Sequence, residues 1–444
     1  MADKLSDKSK DYIYDLVVVG GGAAGIFGAI IAAEKNPNLN ILVLEANSHP
    51  LGKVKISGGG RCNVTHACFD PVTLSQNYPR GFRSLRSSFN RFQPENMMQW
   101  LNQKGIELKT EADNRIFPTS NSSATIIDCF LDLINQYNIK LWCDQKVKNI
   151  QLERIDQNNS PNNSKTFLIQ LENKTNQSSN TNTQIIKAHQ ILLTTGSHRS
   201  GYQLAVNLGH QIIAPVPSLF TLQIKDTALH QLAGISIQNV AISLKMPPQI
   251  KIHRDAKLTQ KGIILITHWG MSGPAILKLS AWAARELAMT NYQCQLLVNW
   301  LPDLKNQDLE KIFQQAKLDS PKRLVRNFCP LELPLRLWEY LVNKCNLAEK
   351  RYTELSTKAI QEIINRLIND QYIITGKGVF KDEFVTCGGI NLSEIDFKTM
   401  ESKYCKNLYF AGEILDIDGV TGGFNFQNAW TTGWIAAHSI AAYS

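Results

Sequence analysis

No C-x-x-C pair occurs anywhere in the chain, and its nine cysteines, at 62, 68, 129, 143, 294, 329, 345, 387 and 405, are odd in number and widely spread. Neither a disulfide framework nor a Cys-rich zinc site is expected, and no other metal site is. Charged residues make up only 19% of the chain against 43% hydrophobic, close to the globular average, which excludes a disordered tail. The opening MADKLSDKSK has no apolar segment of the kind a secretory signal requires, so a cytoplasmic, reduced protein is expected. Residues 16–33, LVVVGGGAAGIFGAIIAA, are apolar for long enough to imitate a membrane span. A glycine cluster splits them into a Val-rich piece and a small-residue helical piece, and no membrane association is expected. Internal repeats are absent. Positive charge is in excess: 47 Lys and Arg against 38 acids, a net +9. That suits contact with a nucleotide, a nucleic acid or a membrane surface without choosing among them. No stable protein partner is indicated.

The split run is the most informative local pattern. Residues 15–19 read as a buried parallel strand, 20–25 as a tight turn, and 23–35 as a helix whose Ala and Gly face can approach a sheet closely. Residues 40–45, NILVLE, are a second buried strand ending in an acid. Further buried strands are expected at 191–195 (ILLTT) and 408–411 (LYFA), the second so late that the chain must return to complete the sheet it began. Between them, 156–183 reads as strand and hairpin pieces with polar loops. Residues 200–300 alternate as short strands, and 305–370 are helical with breaks at Pro321, Pro330 and Pro334.

Gly20, Gly22 and Gly25 form G-x-G-x-x-G, in which glycine lets the turn form, lets a pyrophosphate approach the main chain and lets helix and strand pack closely. The helix start offers N–H groups and partial positive charge to the phosphates. Glu45 closes the next strand, where a carboxylate accepts hydrogen bonds from both hydroxyls of an adenosine ribose and repels the extra phosphate of NADP; FAD or NAD is favoured. Residues 57–63, SGGGRCN, are poor helix and poor strand and read as a second cofactor-contacting loop, with Arg61 and Asn63 adding charge and donors. In LYFAGEILDIDGVTGGFNFQNAW, Gly412 and Glu413 end a strand, and Thr421, Gly422 and Gly423 precede a helix from about Phe424. A carboxylate there can hold a ribityl hydroxyl, and the helix start favours negative charge on a flavin ring. Two chain ends embracing one long, two-part cofactor point to FAD rather than nicotinamide as the resident group. No second G-x-G-x-x-G follows, and Cys62 and Cys68 are C-x5-C, which argues against a pyridine-nucleotide disulfide reductase. NAD(P)H would then be a transient hydride donor.

In GIILITHWGMSGPAILKLSAWAA, Ser272 is the expected N-cap and Pro274 the first helical residue. Thr267 and His268 sit just before that terminus, and His268 is the leading proton donor, with Cys62 and His66 as rivals and Cys387 a packing residue. Arg80, Arg83, Arg86 and Arg91 interleave with Tyr78, Phe82, Phe89 and Phe92, and Lys322, Arg323 and Arg326 begin a helical stretch. Both mixtures suit RNA, aromatics stacking on bases and cations meeting phosphates.

With VVGGGAAG, ISGGGRCNVTH, THWGMSGPAILKLS, VTCGGI, KTMESK and the closing segment in place, the chain resembles the HI0933-like flavoprotein family, which includes bile-acid reductases, a ribosomal RNA dihydrouridine synthase and aminoacetone oxidases. The resemblance implies an α/β fold: a Rossmann-like FAD-binding domain of the glutathione-reductase type, residues 1–200 and 371–444, carrying a β-rich, barrel-like insert at 201–300 and a helical insert at 301–370. It further implies that Gly20, Gly22, Ala24, Gly25, Glu45, Lys53, Gly60, Arg61, Cys62, Asn63, Val147, Thr195, Gly196, Gly412, Glu413, Asp416, Gly422, Gly423 and Asn425 face FAD. The chain departs from the family pattern at SHRSGYQLA after TTG, which is shorter than the glycine-rich connection of reductase members, and at Cys387, where a small residue is expected. The leading expectation is an FAD oxidoreductase that takes hydride from NAD(P)H and reduces an activated carbon–carbon double bond through flavin N5, with His268 or Cys62 giving the proton. An oxidase of a small amine of the aminoacetone type, a uridine-reducing RNA-modifying enzyme and a flavin-containing RNA-binding protein without turnover are the alternatives.

Overall fold

The computed structural model describes residues 12–153, 166–172, 184–378 and 385–442. Of the polar stretch at 156–183, only 166–172 falls among them and carries the strand Phe167–Leu171; the rest of that stretch lies outside the described residues. The chain divides into two compact units, Met1–Pro215 with Thr386–Ser444, and Val216–Val385.

The first unit is built on a parallel sheet. Its strands are β1 (Ile13–Val19), β2 (Ile41–Leu44), β3 (Lys140–Trp142), β4 (Ile185–Leu193) and β5 (Leu408–Phe410), in the spatial order β5-β4-β1-β2-β3. All four neighbouring pairs are parallel, and β1 and β2 are almost wholly buried, as strands covered on both faces must be. The late strand β5 completes the sheet beside β4, with Leu408 opposite Ile191. β4 begins at Ile185, earlier than the ILLTT run alone implies, because its first half pairs with the antiparallel strand Phe167–Leu171 and alternates buried with half-buried residues.

α1 (Ala23–Lys35), α2 (Arg199–Asn207) and α3 (Phe424–Ala441) flank the sheet connections. Small residues bring α1 close to its neighbours: a side chain at Gly28 would reach within 2.8 Å of Leu192, and one at Gly433 within 2.9 Å of the Ala24 carbonyl. Around the fully buried Phe27 gather Phe92, Trp100, Phe130 and Trp430. Among the described residues, no helix is long and apolar enough to cross a membrane.

The second unit is a closed barrel of six antiparallel strands, Leu222–Ile224, Gly270–Ser272, Thr259–Thr267, Ser236–Lys245, Cys294–Asn299 and Asp370–Lys377 in that circular order. Their inward residues, among them Leu222, Ile242, Ile264, Leu296 and Ile374, share one core with the helices Asn306–Asp319, Leu335–Lys344 and Thr357–Ile368. The last barrel strand follows the helices, so this unit runs to Val385 rather than 370, and it opens at Val216 rather than 201 because α2 belongs to the first unit.

Three local readings need correction. Pro274 does open the helix Pro274–Trp282, but Gly273 (φ 96°) is its cap and Ser272 is still in a strand, since a side chain at Gly273 would come within 2.8 Å of the Leu265 nitrogen. Lys322 and Arg323 lie in a turn and Arg326 in the short 3-10 turn Val325–Asn327, which closely following prolines keep from lengthening. The Arg and aromatic alternation at 78–92 is not a stacking surface. Tyr78, Phe89 and Phe92 are core residues, Tyr78 donates to the Phe424 carbonyl at 2.6 Å, Arg80 is paired with the buried Asp418, and Arg91 donates to the Lys398 carbonyl.

At the antiparallel edge of the first sheet, His210, Glu394 and Ser402 form a buried polar chain, with His210 Nδ1 2.9 Å from Glu394 Oε2 and Nε2 2.8 Å from Ser402 Oγ. Ser402 Oγ also accepts from the Tyr404 and Cys405 N–H groups, so its hydrogen goes to Nε2. Burial holds His210 below the ordinary histidine value of 6.5, although Glu394 pulls the other way. Below that value the unfolded chain takes up a proton that folded His210 resists, so stability should fall with falling pH by up to about 1.4 kcal/mol per unit until the folded imidazole titrates. Thermal midpoints between about pH 7.5 and pH 5 should fall less steeply in His210→Gln, which cannot take the proton; parallel profiles would contradict this.

Candidate functional site

β1 ends at Val19 and the chain turns at Gly20, where φ is 111° and a side chain would lie 2.5 Å from the Thr194 carbonyl oxygen. One at Gly25 would lie 2.0 Å from the Gly20 carbonyl. Thr194 Oγ1 donates to that same carbonyl at 2.8 Å, so turn, helix and the end of β4 hold one another. Gly22 is different: among the described residues a Cβ there would meet nothing within 4 Å, and no side chain caps α1 behind it. An uncapped helix start opening onto free space, with its positive dipole end outward, is a place for an anion.

Glu45, at the end of β2, is buried beside this turn. Its Oε2 accepts from the Gly21 N–H at 2.7 Å, and its Oε1 accepts from the Asn47 N–H at 2.8 Å and the Asn47 amide at 2.7 Å. Val147 opens the strand Val147–Leu152 two residues after Gln145, whose N–H donates to the Glu45 carbonyl.

The closing segment meets the opening one. A side chain at Gly412 would come within 2.9 Å of the Ala24 methyl, and Lys53 forms an ion pair with Glu413 Oε2 while Glu413 Oε1 accepts from the Thr386 N–H at 3.1 Å. His66 Nδ1 lies 3.0 Å from the Gly422 carbonyl, with its ring 4.5 Å from that of Phe424. The Asn63 amide donates to the Thr65 and Ile116 carbonyls and accepts from the Gly423 N–H at 2.9 Å. Its donors are thus spent inside the protein. So is much of the charge of Arg61, which pairs with Glu111 at 2.6 Å and lies 4.0 Å over the Phe117 ring. Gly58, Gly59 and Gly60 all have positive φ, which breaks the helical stretch begun at Gly52 and turns the chain toward Asn63.

Gly196 faces Glu413, 3.9 Å from Oε2 measured from where its side chain would begin, and the neighbouring Thr195 hydroxyl is buried with no hydrogen-bond partner among the described residues. Asp416 is buried and its N–H donates to the Ile390 carbonyl. Asn425 bonds the Gly419 N–H and carbonyl at 2.8 and 3.0 Å and shapes the loop before α3. Cys62 is fully buried, and desolvation pushes its thiol up to about 12. It keeps its proton at neutral pH and is neither a nucleophile nor exposed to one. All of these belong to the first unit. His268 does not: it is exposed in the turn that joins Thr259–Thr267 to Gly270–Ser272 in the second. Thr194 and Asn47, which fix the turn and Glu45, were not anticipated from the sequence; the only signal was a hydroxyl at the end of the ILLTT run.

Residues 14–439 match the model of the HI0933-like protein Rossmann domain. The chain belongs to this family. It is accordingly an FAD-dependent oxidoreductase of the Rossmann type. Among relatives, it is 25% identical over 442 residues to a ribosomal RNA dihydrouridine synthase of Escherichia coli, covering 97% of this chain and 98% of that one. It is 27% identical to the protein of the same name from Haemophilus influenzae, covering 96% and 98%. To a 3-dehydro-bile acid delta(4,6)-reductase of Clostridium scindens it is 24% identical, covering 96% and 98%.

The residues fit FAD. Open space at Gly22 gives a pyrophosphate room against the start of α1, the buried Glu45 carboxylate is the acceptor a ribose diol needs, and the Thr195 hydroxyl offers a bond that no group among the described residues takes up.

Proposed function

We propose that this chain holds FAD between the α1 turn and its closing segment, takes hydride from NAD(P)H and reduces a carbon–carbon double bond conjugated to a carbonyl. The observation that carries the reading is the open space at Gly22, bordered by buried Glu45 and by a closing segment that touches Ala24. Bound FAD supplies two-electron chemistry at flavin N5. The N–H groups and dipole of α1 hold the phosphates. Glu45 accepts the ribose hydroxyls, and its charge disfavours a further phosphate on that ribose. The start of α3, capped by Gly423, stabilises negative charge on whatever lies before it. Of the two proton donors the sequence offers, His268 lies exposed in the second unit. Cys62 is the weaker choice because it is sealed from any substrate.

The names of the relatives support reduction. A delta(4,6)-reductase and a dihydrouridine synthase each denote removal of a carbon–carbon double bond beside a carbonyl. The dihydrouridine synthase names, with the net charge of +9, also favour a second reading in which the double bond belongs to a uridine in RNA. Anaerobic NADH or NADPH should bleach the flavin band of the purified holoprotein; no bleaching with either would overturn the hydride route. Reoxidation of the reduced protein then separates the acceptors. An enone that restores the band faster than oxygen supports the first reading, uridine-containing RNA acting in a salt-sensitive way supports the second, and peroxide formation with aminoacetone would replace both with an amine oxidase.

A further inference from the structure

The short segment after the β4 turn contains a buried polar group that the cofactor reading has not used. α2 starts at Arg199, and a side chain at Gly201 would sit 1.7 Å from Thr195 Oγ1. The first turn of α2 is thus pressed against the Thr195–Gly196 turn, and the next residue is Tyr202. Tyr202 is 7% exposed, and its hydroxyl, like that of Thr195, is buried with no hydrogen-bond partner among the described residues. Burial first, then the carboxylates of Glu413 and Asp416 and the thiol of Cys387, push the phenol above the ordinary tyrosine range, so it stays an O–H donor. Orphaned buried hydroxyls are rare because each one forfeits its bonds to water.

The surroundings say what the missing partner is. Two carboxylates lie within electrostatic reach of the phenol, and Glu413 borders Gly196. Such a place disfavours phosphate and favours neutral hydroxyls, each able to donate to a carboxylate while accepting from a phenol. In FAD that description fits the ribityl chain, which separates the phosphates from the ring. We propose that Tyr202 donates its phenolic hydrogen to the ribityl chain of FAD beside Glu413 and Asp416, a contact that the SHRSGYQLA segment creates by bringing α2 directly against Thr195. This rests on the FAD reading above and extends it to a residue outside the glycine motifs.

The test is calorimetric titration of wild-type and Tyr202→Phe apoprotein with FAD and, separately, with ADP, which carries the adenosine and pyrophosphate but no ribityl chain. Tyr202→Phe should bind FAD about three- to tenfold more weakly and ADP as well as the wild type does. Its apoprotein should melt no lower than the wild type, because the deleted hydroxyl had no partner. Equal FAD affinity in the two proteins, the same loss for ADP, or a lower apoprotein midpoint would each overturn the assignment and leave the FAD site standing. Wild-type apoprotein that takes up no FAD would overturn the site reading and this inference with it.

Discussion

Gly22→Val should give an apoprotein that melts like the wild type but purifies almost free of flavin. The backbone at Gly22 is extended, with φ −83° and ψ −170°, which valine adopts readily, and a Cβ there has no atom of the described residues beyond its chain neighbours within 4 Å. It does enter the space assigned to the pyrophosphate. Intrusion of that kind costs about 1–3 kcal/mol, which at about 1.4 kcal/mol per decade is roughly a 5- to 140-fold loss in FAD affinity. Gly25→Ala should behave differently, since its methyl would collide with the Gly20 carbonyl and Thr194 Oγ1. Stability and flavin should fall together. Fluorescence titration of apoprotein with FAD, read beside a thermal melt, checks both. A Gly22→Val protein that retains full FAD affinity would show that nothing binds over the start of α1.

Asp370→Asn should cause the largest loss of stability in the second unit. The Asp370 carboxylate is fully buried where the helices meet the last barrel strand. It receives Arg366 Nη1 at 2.7 Å, Lys344 Nζ at 3.2 Å, Trp300 Nε1 at 3.2 Å and the Tyr372 hydroxyl. The asparagine amide cannot balance the two cations, and its NH2 turns a donor toward donors. Removing one partner of a buried ion pair costs about 3–5 kcal/mol. The lower end applies here because Lys344 and Arg366 are 25% and 30% exposed and partly screened. In a domain of this size each kcal/mol is about 2–4 °C, so about 3 kcal/mol lowers the midpoint by roughly 6–12 °C in differential scanning calorimetry. A shift below about 2 °C would mean that the cations find other partners or water at little cost.

The first βαβ unit was legible because its signals are local. Four consecutive aliphatic residues, a glycine turn and a run of small residues each act within a few positions, and the helix Ala23–Lys35 has the bounds its pattern indicates. The aromatic and Arg alternation at 78–92 shows where such signals mislead. The same spacing serves a basic surface or an amphipathic segment turned inward, and only burial of Tyr78, Phe89 and Phe92 beneath α3 distinguishes them. Likewise Ser272 has the right chemistry for a cap, yet the close approach of the Leu265 backbone leaves room only for Gly273.

From its sequence alone, this chain could be read as a Rossmann-type flavoprotein with a β-rich and then helical insertion, because strands, turns and helix starts declare themselves through periodicity, glycine and charge over short distances. The pairing of Asn63 with Gly423, the ion pair of Lys53 with Glu413 and the orphaned hydroxyl of Tyr202 depended on folding. Each involves residues that only packing of the chain's two ends brings together, and whether a polar atom is satisfied depends on neighbours that no local pattern names.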